Sequence, residues 1–208
     1  NASDVPTVTN MVLVSDVSRF VFCFGANTLG TSTQDPLLIR WSDQESVVNW
    51  TPAATNQAGS LRLSRGSSIV TAAQARQEIV VWTDASLYAL QYVGAPIVWS
   101  SQLVGDHISI ISQNCVAYAN GASYWMGIDK FYIYDGTTKQ LRCDLRRHIF
   151  NDLNSVQKDQ VFTSPKEPTF FLLIEAPNDS LASSITYIFF FLHKFIIFKV
   201  SLAGKPYT

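Results

Sequence analysis

Short apolar runs recur along the chain, with turn-forming residues between them. Asn10–Val14, Arg19–Phe24, Pro36–Trp41, Ser60–Leu63, Ser68–Ala73, Glu78–Thr83, Leu87–Val93 and Ile97–Trp99 come first. His107–Ile111, Cys115–Ala119, Ala122–Met126, Phe131–Tyr134 and Gln140–Cys143 follow. Most have the length of ordinary strands. Asn120-Gly121 between two such runs predicts a type I′ hairpin, because both central residues of that turn take positive φ. Asp135-Gly136 carries the same signal, and Thr83-Asp84-Ala85-Ser86 reads as a looser turn. No window through Leu141 holds a helical period. One short helix is predicted near 144–154. In CDLRRHIFNDLN, Asp144 caps the first turn, and Leu145, Ile149 and Leu153 share one face.

The spacing of the runs repeats. EIVVWTDASLYAL (Glu78–Leu90) lies over ASYWMGIDKFYIY (Ala122–Tyr134) at an offset of 44 residues, which sets Val81 on Trp125 and Tyr88 on Tyr132. Leu38-Ile39-Arg40-Trp41 precedes Leu87–Leu90 by 49 residues, and the same offset carries Trp50-Thr51 onto Trp99-Ser100. Periods of about 40 to 50 residues with four strands each belong to β-propeller blades. The fold class expected is therefore all-β, with propeller-like repeats of four-stranded antiparallel blades. The corner RWSDQESVVNWTP (Arg40–Pro52) then reads as a strand ending at Trp41, a Ser42-Asp43-Gln44-Glu45 turn, and a returning outer strand over Val47–Trp50. Five tryptophans, Trp41, Trp50, Trp82, Trp99 and Trp125, are the expected aromatic anchors of the blades.

Composition supports strands over helices. The chain of 208 residues is 47% hydrophobic and only 15% charged, and its branched and aromatic residues suit a pleated, half-buried surface. A net charge of −1 gives no global pull toward nucleic acid or an anionic membrane. Cys23, Cys115 and Cys143 form neither an even disulfide framework nor a CxxC pair, so each reads as a small buried residue. Three sequons, at Asn1, Asn49 and Asn178, carry little weight without a secretory signal. The chain starts with Asn, which reads as a fragment of something longer.

Several stretches in consistent order carry a family resemblance: RWSDQESVVNWTPAATNQAGSLRLSRGSSIV, ARQEIVVWTDASLYALQYVG and ISQNCVAYANGASYWMGIDKFYIYDG. Together they resemble a family of tailed-phage virion proteins, the β-propeller proteins of short tails of the nozzle or hub kind. The resemblance covers about Pro6 to Asn154. It implies a non-enzymatic structural protein of the bacteriophage tail, located in the virion, that lines or supports the DNA conduit. It implies partners too: other tail proteins, further copies of the chain in a ring-like homo-oligomer, and transiting DNA contacted without sequence specificity. No catalytic pattern and no cofactor come with it. Family members are usually longer, with more blades.

The resemblance stops after about Pro165. The domain reading is thus a propeller-like domain over 1–164 and a Phe/Ile-rich segment over 165–208. Within the latter, Phe170–Ile174 and ITYIFFFLHKFIIFKV (Ile185–Val200) lack blade turns. The second run is interrupted by His193-Lys194 and falls short of the roughly 20 residues of a spanning helix. Strands of a fourth blade, a short membrane-seeking tail, and a reading-frame change remain as readings. No membrane partner is expected unless this segment is native.

Chemical motifs are sparse. His107, His148 and His193 match no metal-binding spacing, and no GxSxG elbow or glycine-rich phosphate loop occurs. Asp43, Glu45, Asp84, Asp129 and Asp135 sit at turns, where aspartate is expected. Ser42-Asp43 and Trp50 lack the glycine and the spacing of a sialidase-type Asp-box. The cluster Arg142, Arg146, Arg147 with His148 is the one local concentration of positive charge. It is a candidate DNA contact through phosphates, against the plainer reading of a solvated helix face paired with Asp144 and Asp152. A carbohydrate- or ligand-binding propeller is the alternative function, and it calls for Trp41, Trp82 or Tyr92 exposed on one face. An enzyme calls for carboxylates clustered in a central pocket.

Overall fold

The computed structural model describes residues 4–143, 146–152, 158–159, 161–166 and 169–173. Twelve strands form three four-stranded antiparallel sheets, and in each the strands lie side by side in chain order. Sheet 1 runs β1 (Met11–Val14), β2 (Val21–Phe24), β3 (Leu38–Trp41) and β4 (Gly59–Arg62). Sheet 2 runs β5 (Ile69–Gln74), β6 (Glu78–Thr83), β7 (Ser86–Gly94) and β8 (Val98–Asp106). Sheet 3 runs β9 (Val116–Ala119), β10 (Ala122–Met126), β11 (Phe131–Tyr134) and β12 (Thr138–Leu141). The fold is all-β with blade-like repeats. The chain divides into two compact units, Asn1–Ser109 with sheets 1 and 2, and a second beginning at Ile110 with sheet 3.

The 44-residue repeat has a structural counterpart. Val81 pairs with Tyr88 across β6 and β7, and Trp125 pairs with Tyr132 across β10 and β11. Both are second-to-third strand pairs at the same register. The 49-residue match of Leu38–Trp41 with Leu87–Leu90 likewise joins two third strands. The extension of that match to Trp50 fails. Trp99 lies on β8, whereas Val47–Trp50 is not a strand, and the fourth strand of sheet 1 is β4 instead. Residues 42–58 form a connection that folds Trp50 back over the outer face of β2, beside Cys23 and Ala26.

Within the first unit, alternation along the strands builds one shared core. Phe22, Phe24, Ile39 and Trp41 of sheet 1 meet Ile79, Val81, Tyr88, Leu90 and Trp99 of sheet 2. Asn10 Nδ2 donates to the Ile69 carbonyl at 3.3 Å, and the Ala72 amide donates to Met11 Sδ at 3.2 Å, so β1 lies against β5. The other face of sheet 2 carries Val80, Trp82, Leu87 and Ala89, and these are buried as well. Trp41 closes over Gly59, its cross-strand partner. A Cβ on Gly59 would stand 2.6 Å from Trp41 Cζ2, and Trp41 is held in place because its indole N–H donates to Gln57 O at 2.8 Å. Gly59→Ala is therefore expected to cost about 1–3 kcal/mol by overpacking, read as a lower urea midpoint at unchanged slope. An unchanged midpoint would mean that the indole yields freely.

In the second unit, Asn120 and Gly121 take φ of 51° and 81°, the two-residue turn expected between β9 and β10. The Asp135-Gly136 turn differs from expectation. Tyr134 pairs with Thr138, so the loop has three residues, Asp135 to Thr137. The Asp135 carboxylate accepts from the Thr137 amide at 3.3 Å and from its hydroxyl at 3.1 Å, and Gly136 takes φ of 102°. His107–Ile111 is not a strand: β8 ends at Asp106, and His107 turns the chain with φ of 55°. The helix forms as α1 (Arg146–Asp152), with Ile149 fully buried and Phe150 packed 5.4 Å from the Phe131 ring. The proposed cap Asp144, Leu145 and Leu153 lie outside the described residues. So do Ile185–Val200. A last hairpin joins β13 (Phe162–Lys166) to β14 (Thr169–Leu173), and the Thr163 amide donates to Asn114 O at 2.9 Å beside β9. Residues 164 and 165 are thus consecutive positions of one strand. Among the described residues no helix is long and apolar enough to cross a membrane.

Candidate functional site

One concave surface belongs to the first unit, at the end where β6 turns into β7. It is an open depression of about 560 Å³ lined by Ser64, Arg65, Gly66, Ala85, Ser86, Asp106 and His107. The connection from β4 to β5 forms one wall. Gly66 takes φ of 100°, and a Cβ there would meet Thr83 Oγ1 at 2.6 Å and Asp84 Oδ1 at 2.7 Å, so only glycine lets this loop approach the turn. Asp84 then receives the Ser67 amide at 2.7 Å. The Thr83 hydroxyl accepts from the Ser86 amide at 2.8 Å and donates to the Ser86 carbonyl at 3.1 Å, which locks the two-residue turn.

Ser86, Asp106 and His107 supply the residue types of a hydrolytic triad in a linkage that does not suit one. The buried Ser86 hydroxyl donates directly to Asp106 Oδ1 at 3.0 Å, with no imidazole between. The other carboxylate oxygen faces Arg65 at 3.2 Å, and the His107 backbone amide donates to Oδ1 at 3.1 Å. A general base must reach the nucleophile's proton and be free to take it. Here Asp106 is held ionised, its carboxyl kept below the usual range by the Ser86 hydroxyl, the His107 amide and Arg65. The cluster works as a clamp between β4–β5, β6–β7 and the end of β8.

The same sign of shift recurs in three other turns. Partial burial pushes Asp84 upward, but the Ser67 and Ser68 bonds more than offset it and bring it below the usual carboxylate range. Asp35 is brought down likewise by Arg62 and the Leu37 amide against partial burial, and Asp135 by Lys139 and Thr137. A carboxyl whose folded pKa is depressed stabilises the fold above its unfolded pKa, and that stabilisation is lost as pH falls through the folded value. The melting temperature is therefore expected to hold from neutral pH down to about pH 4 and to fall below it. A flat profile down to pH 2 would show that these turn contacts contribute nothing.

The other sequence-predicted residues are scattered. Trp41, Trp50, Trp82, Trp99 and Trp125 are all buried, at 3% exposure or less. Trp41 and Trp99 enter the shared core of sheets 1 and 2, Trp50 lies on the outer face of sheet 1, and Trp82 faces away from that core. Neither Trp41 nor Trp82 offers a surface platform for a sugar. Tyr92 is 43% exposed, but its ring rests on Phe20 and Trp99 and its hydroxyl donates to Gln57 Oε1 at 2.8 Å. Arg142 and Arg147 are exposed and Arg146 is half-buried, around the start of α1 in the second unit. Arg40, which the sequence reading left unremarked, is a buried cation. Its guanidinium donates to Asp4 O at 2.6 Å and Asn27 O at 3.3 Å, tying Asp4 to sheet 1. Beside it, burial pushes the Cys23 thiol up to about 11 despite the charge of Arg40. Among the described residues no three His, Cys, Asp or Glu side chains converge on a metal position. Asp106, Arg65 and Ser86 share no short motif: the pairing of β7 with β8 sets Ser86 beside Asp106, and the β4–β5 connection brings Arg65 to them. No protein-family model matches the chain, and no curated protein matches it.

Proposed function

We propose that the chain is a non-enzymatic structural component of a bacteriophage tail, of the nozzle or hub kind, lining or supporting the conduit for DNA. The observation that carries this reading is the succession of three up-and-down four-stranded sheets in chain order, spaced as the sequence repeat is. The resemblance of about Pro6 to Asn154 to short-tail proteins points the same way. The mechanism is geometric: rigid blades hold loops in fixed positions, and those loops meet neighbouring tail proteins and further copies of the chain. Asp106, the one carboxylate in the depression of the first unit, is committed to Ser86 and Arg65, which favours a scaffold over a hydrolase. The virion is the corresponding location.

Antibodies raised against the chain are expected to label the tails of short-tailed particles in immunoelectron microscopy of the source material. Label confined to soluble protein, together with saturable binding to a glycan array, would replace this reading with a carbohydrate-binding module. The contact with DNA is expected to be weak and independent of sequence. If Arg142, Arg146 and Arg147 each meet a phosphate, affinity falls with salt at a log–log slope of about −2.7. The triple change to glutamine removes most of that slope. A slope that survives it assigns the contact elsewhere.

A further inference from the structure

Residues 4–8 lie over the outer face of sheet 1, where Arg40 and Cys23 are cross-strand partners. They stand outside the ladder of that sheet, which begins at Met11. Their main chain is what holds them. Asn27 Oδ1 accepts the Thr7 amide at 2.9 Å and the Val8 amide at 3.1 Å, and the Asn27 amide donates back to Val8 O at 3.2 Å. Arg40 binds Asp4 O, and the Asp4 carboxylate accepts from the Thr51 hydroxyl at 2.6 Å. Asp4, Val5, Thr7 and Val8 are themselves exposed. The segment therefore hides little apolar surface of its own and rests on a few polar bonds. That is the makeup of a region that opens at a lower free energy than global unfolding. Thr9 and Asn10 are fixed more firmly. The Thr9 hydroxyl and the Asn10 amide both donate to Phe24 O, at 2.8 Å and 2.9 Å. Asn10 Nδ2 reaches Ile69 O, and Gln34 Nε2 donates to Asn10 Oδ1 at 2.8 Å.

Arg40 lies beneath this segment at 3% exposure, and its partners there are main-chain carbonyls, Asp4 O and Asn27 O. Among the described residues no carboxylate stands within ion-pair distance of it. A buried cation without a carboxylate carries a desolvation cost that carbonyls offset only in part. Water that returns to Arg40 when the segment lifts therefore compensates some of the bonds lost. Asp4 also takes φ of 57°, a left-handed conformation that lifting relaxes. We propose that residues 4–8 are a strap that lifts as one unit about Thr9 and Asn10 while sheet 1 stays folded, and so switches Arg40 from a hidden to an offered cation. Asn27 makes the motion concerted. Its single side-chain oxygen holds two successive amides of the strap, and its Nδ2 is fixed by Thr31 O at 2.6 Å. This inference stands whether or not the chain belongs to a virion.

Amide hydrogen exchange of the full chain, followed by NMR, tests it together with modification of arginine by phenylglyoxal, mapped by mass spectrometry. The Thr7, Val8 and Asn27 amides should share one opening constant. It should lie about a hundredfold or more above that of the Ser42 and Leu63 amides, which donate to Val21 O and Leu37 O. Thr51→Val removes the exposed tie to Asp4 and should raise the shared constant by about two- to tenfold. The rate at which phenylglyoxal modifies Arg40 should rise by the same factor, while the Ser42 and Leu63 amides stay as they were. Arg40→Lys keeps the charge but is too short to reach both carbonyls, and should raise the opening constant about tenfold or more. If that variant fails to fold, Thr51→Val decides alone. Opening constants that differ among the three amides, or that match those of Ser42 and Leu63, overturn the proposal. So do Thr7 and Val8 amides that exchange as fast as in an unstructured peptide, or an Arg40 whose modification ignores Thr51→Val.

Discussion

Trp125→Ala is expected to destabilise the second unit by about 3–5 kcal/mol, the cost of emptying a fully packed tryptophan site. Trp125 is 2% exposed on β10, and its ring stacks on Tyr132 with centroids 5.4 Å apart and planes 17° from parallel. The two residues are cross-strand partners, with Val116 of β9 on the other side. Truncation therefore removes the central member of a three-strand row on one face. It leaves a void that the rigid sheet fills only in part, which is why the cost exceeds simple transfer of the lost area. Urea unfolding followed by tyrosine and tryptophan signals measures it. A loss below about 1 kcal/mol would mean that the site collapses and that Trp125 is no anchor. Trp125→Phe, which keeps a ring against Tyr132, should recover more than half of the loss.

The second large effect is expected at Phe22, for which Phe22→Ala should cost about 3–5 kcal/mol in the first unit. Phe22 is completely buried. Its ring lies 4.9 Å from Trp99 edge to face, 6.0 Å from Phe24 and 6.3 Å from both Phe20 and Trp41. It is the point where β2 of sheet 1 touches β8 of sheet 2. Edge-to-face pairs contribute beyond their area, so Phe22→Leu should still lose part of the stability although it keeps most of the volume. Double-mutant cycles with Trp99→Ala separate the pair energy from the cavity. Strict additivity would show that the two sheets are not coupled through this contact.

Much of the sheet architecture was legible in the sequence. The run Glu78–Thr83 coincides with β6, and Asn120-Gly121 adopts the turn its residue types require. Both signals are local: a short continuous run of branched and aromatic residues reports a strand buried on both faces, and positive φ selects Asn and Gly. The errors occur where distant residues decide. Val47–Trp50 reads as a strand because it ends in a tryptophan, yet that indole covers Cys23 and Ala26 from a loop and donates to Val47 O at 3.0 Å. The actual partner of β3 begins at Gly59, a poor strand former chosen because nothing larger fits under Trp41. Strand β8 continues to Asp106 through Ser100, Ser101 and Gln102, carried by its pairing with β7 rather than by its own pattern. The anchors were half seen. The five tryptophans stand out in the sequence, whereas Phe20, Phe22 and Phe24 become the hub only once β2 lies under Trp99. The clamp of Ser86, Arg65 and Asp106 was not legible, since its members are brought together by tertiary pairing alone.

Among the described residues, each strand of the three four-stranded sheets pairs only with the strand made just before or just after it. The ladders of these three sheets are complete, among the described residues, without a distant strand. During synthesis at about 5–20 residues per second, the ribosome releases each group of four strands as a closed hydrogen-bonding unit. Pairing between strands that follow each other in the chain favours fast assembly. They also shorten the time in which apolar strands stand open to other nascent chains, so the order of strands along the gene acts as a timetable that keeps a chain of nearly half hydrophobic residues from aggregating as it emerges.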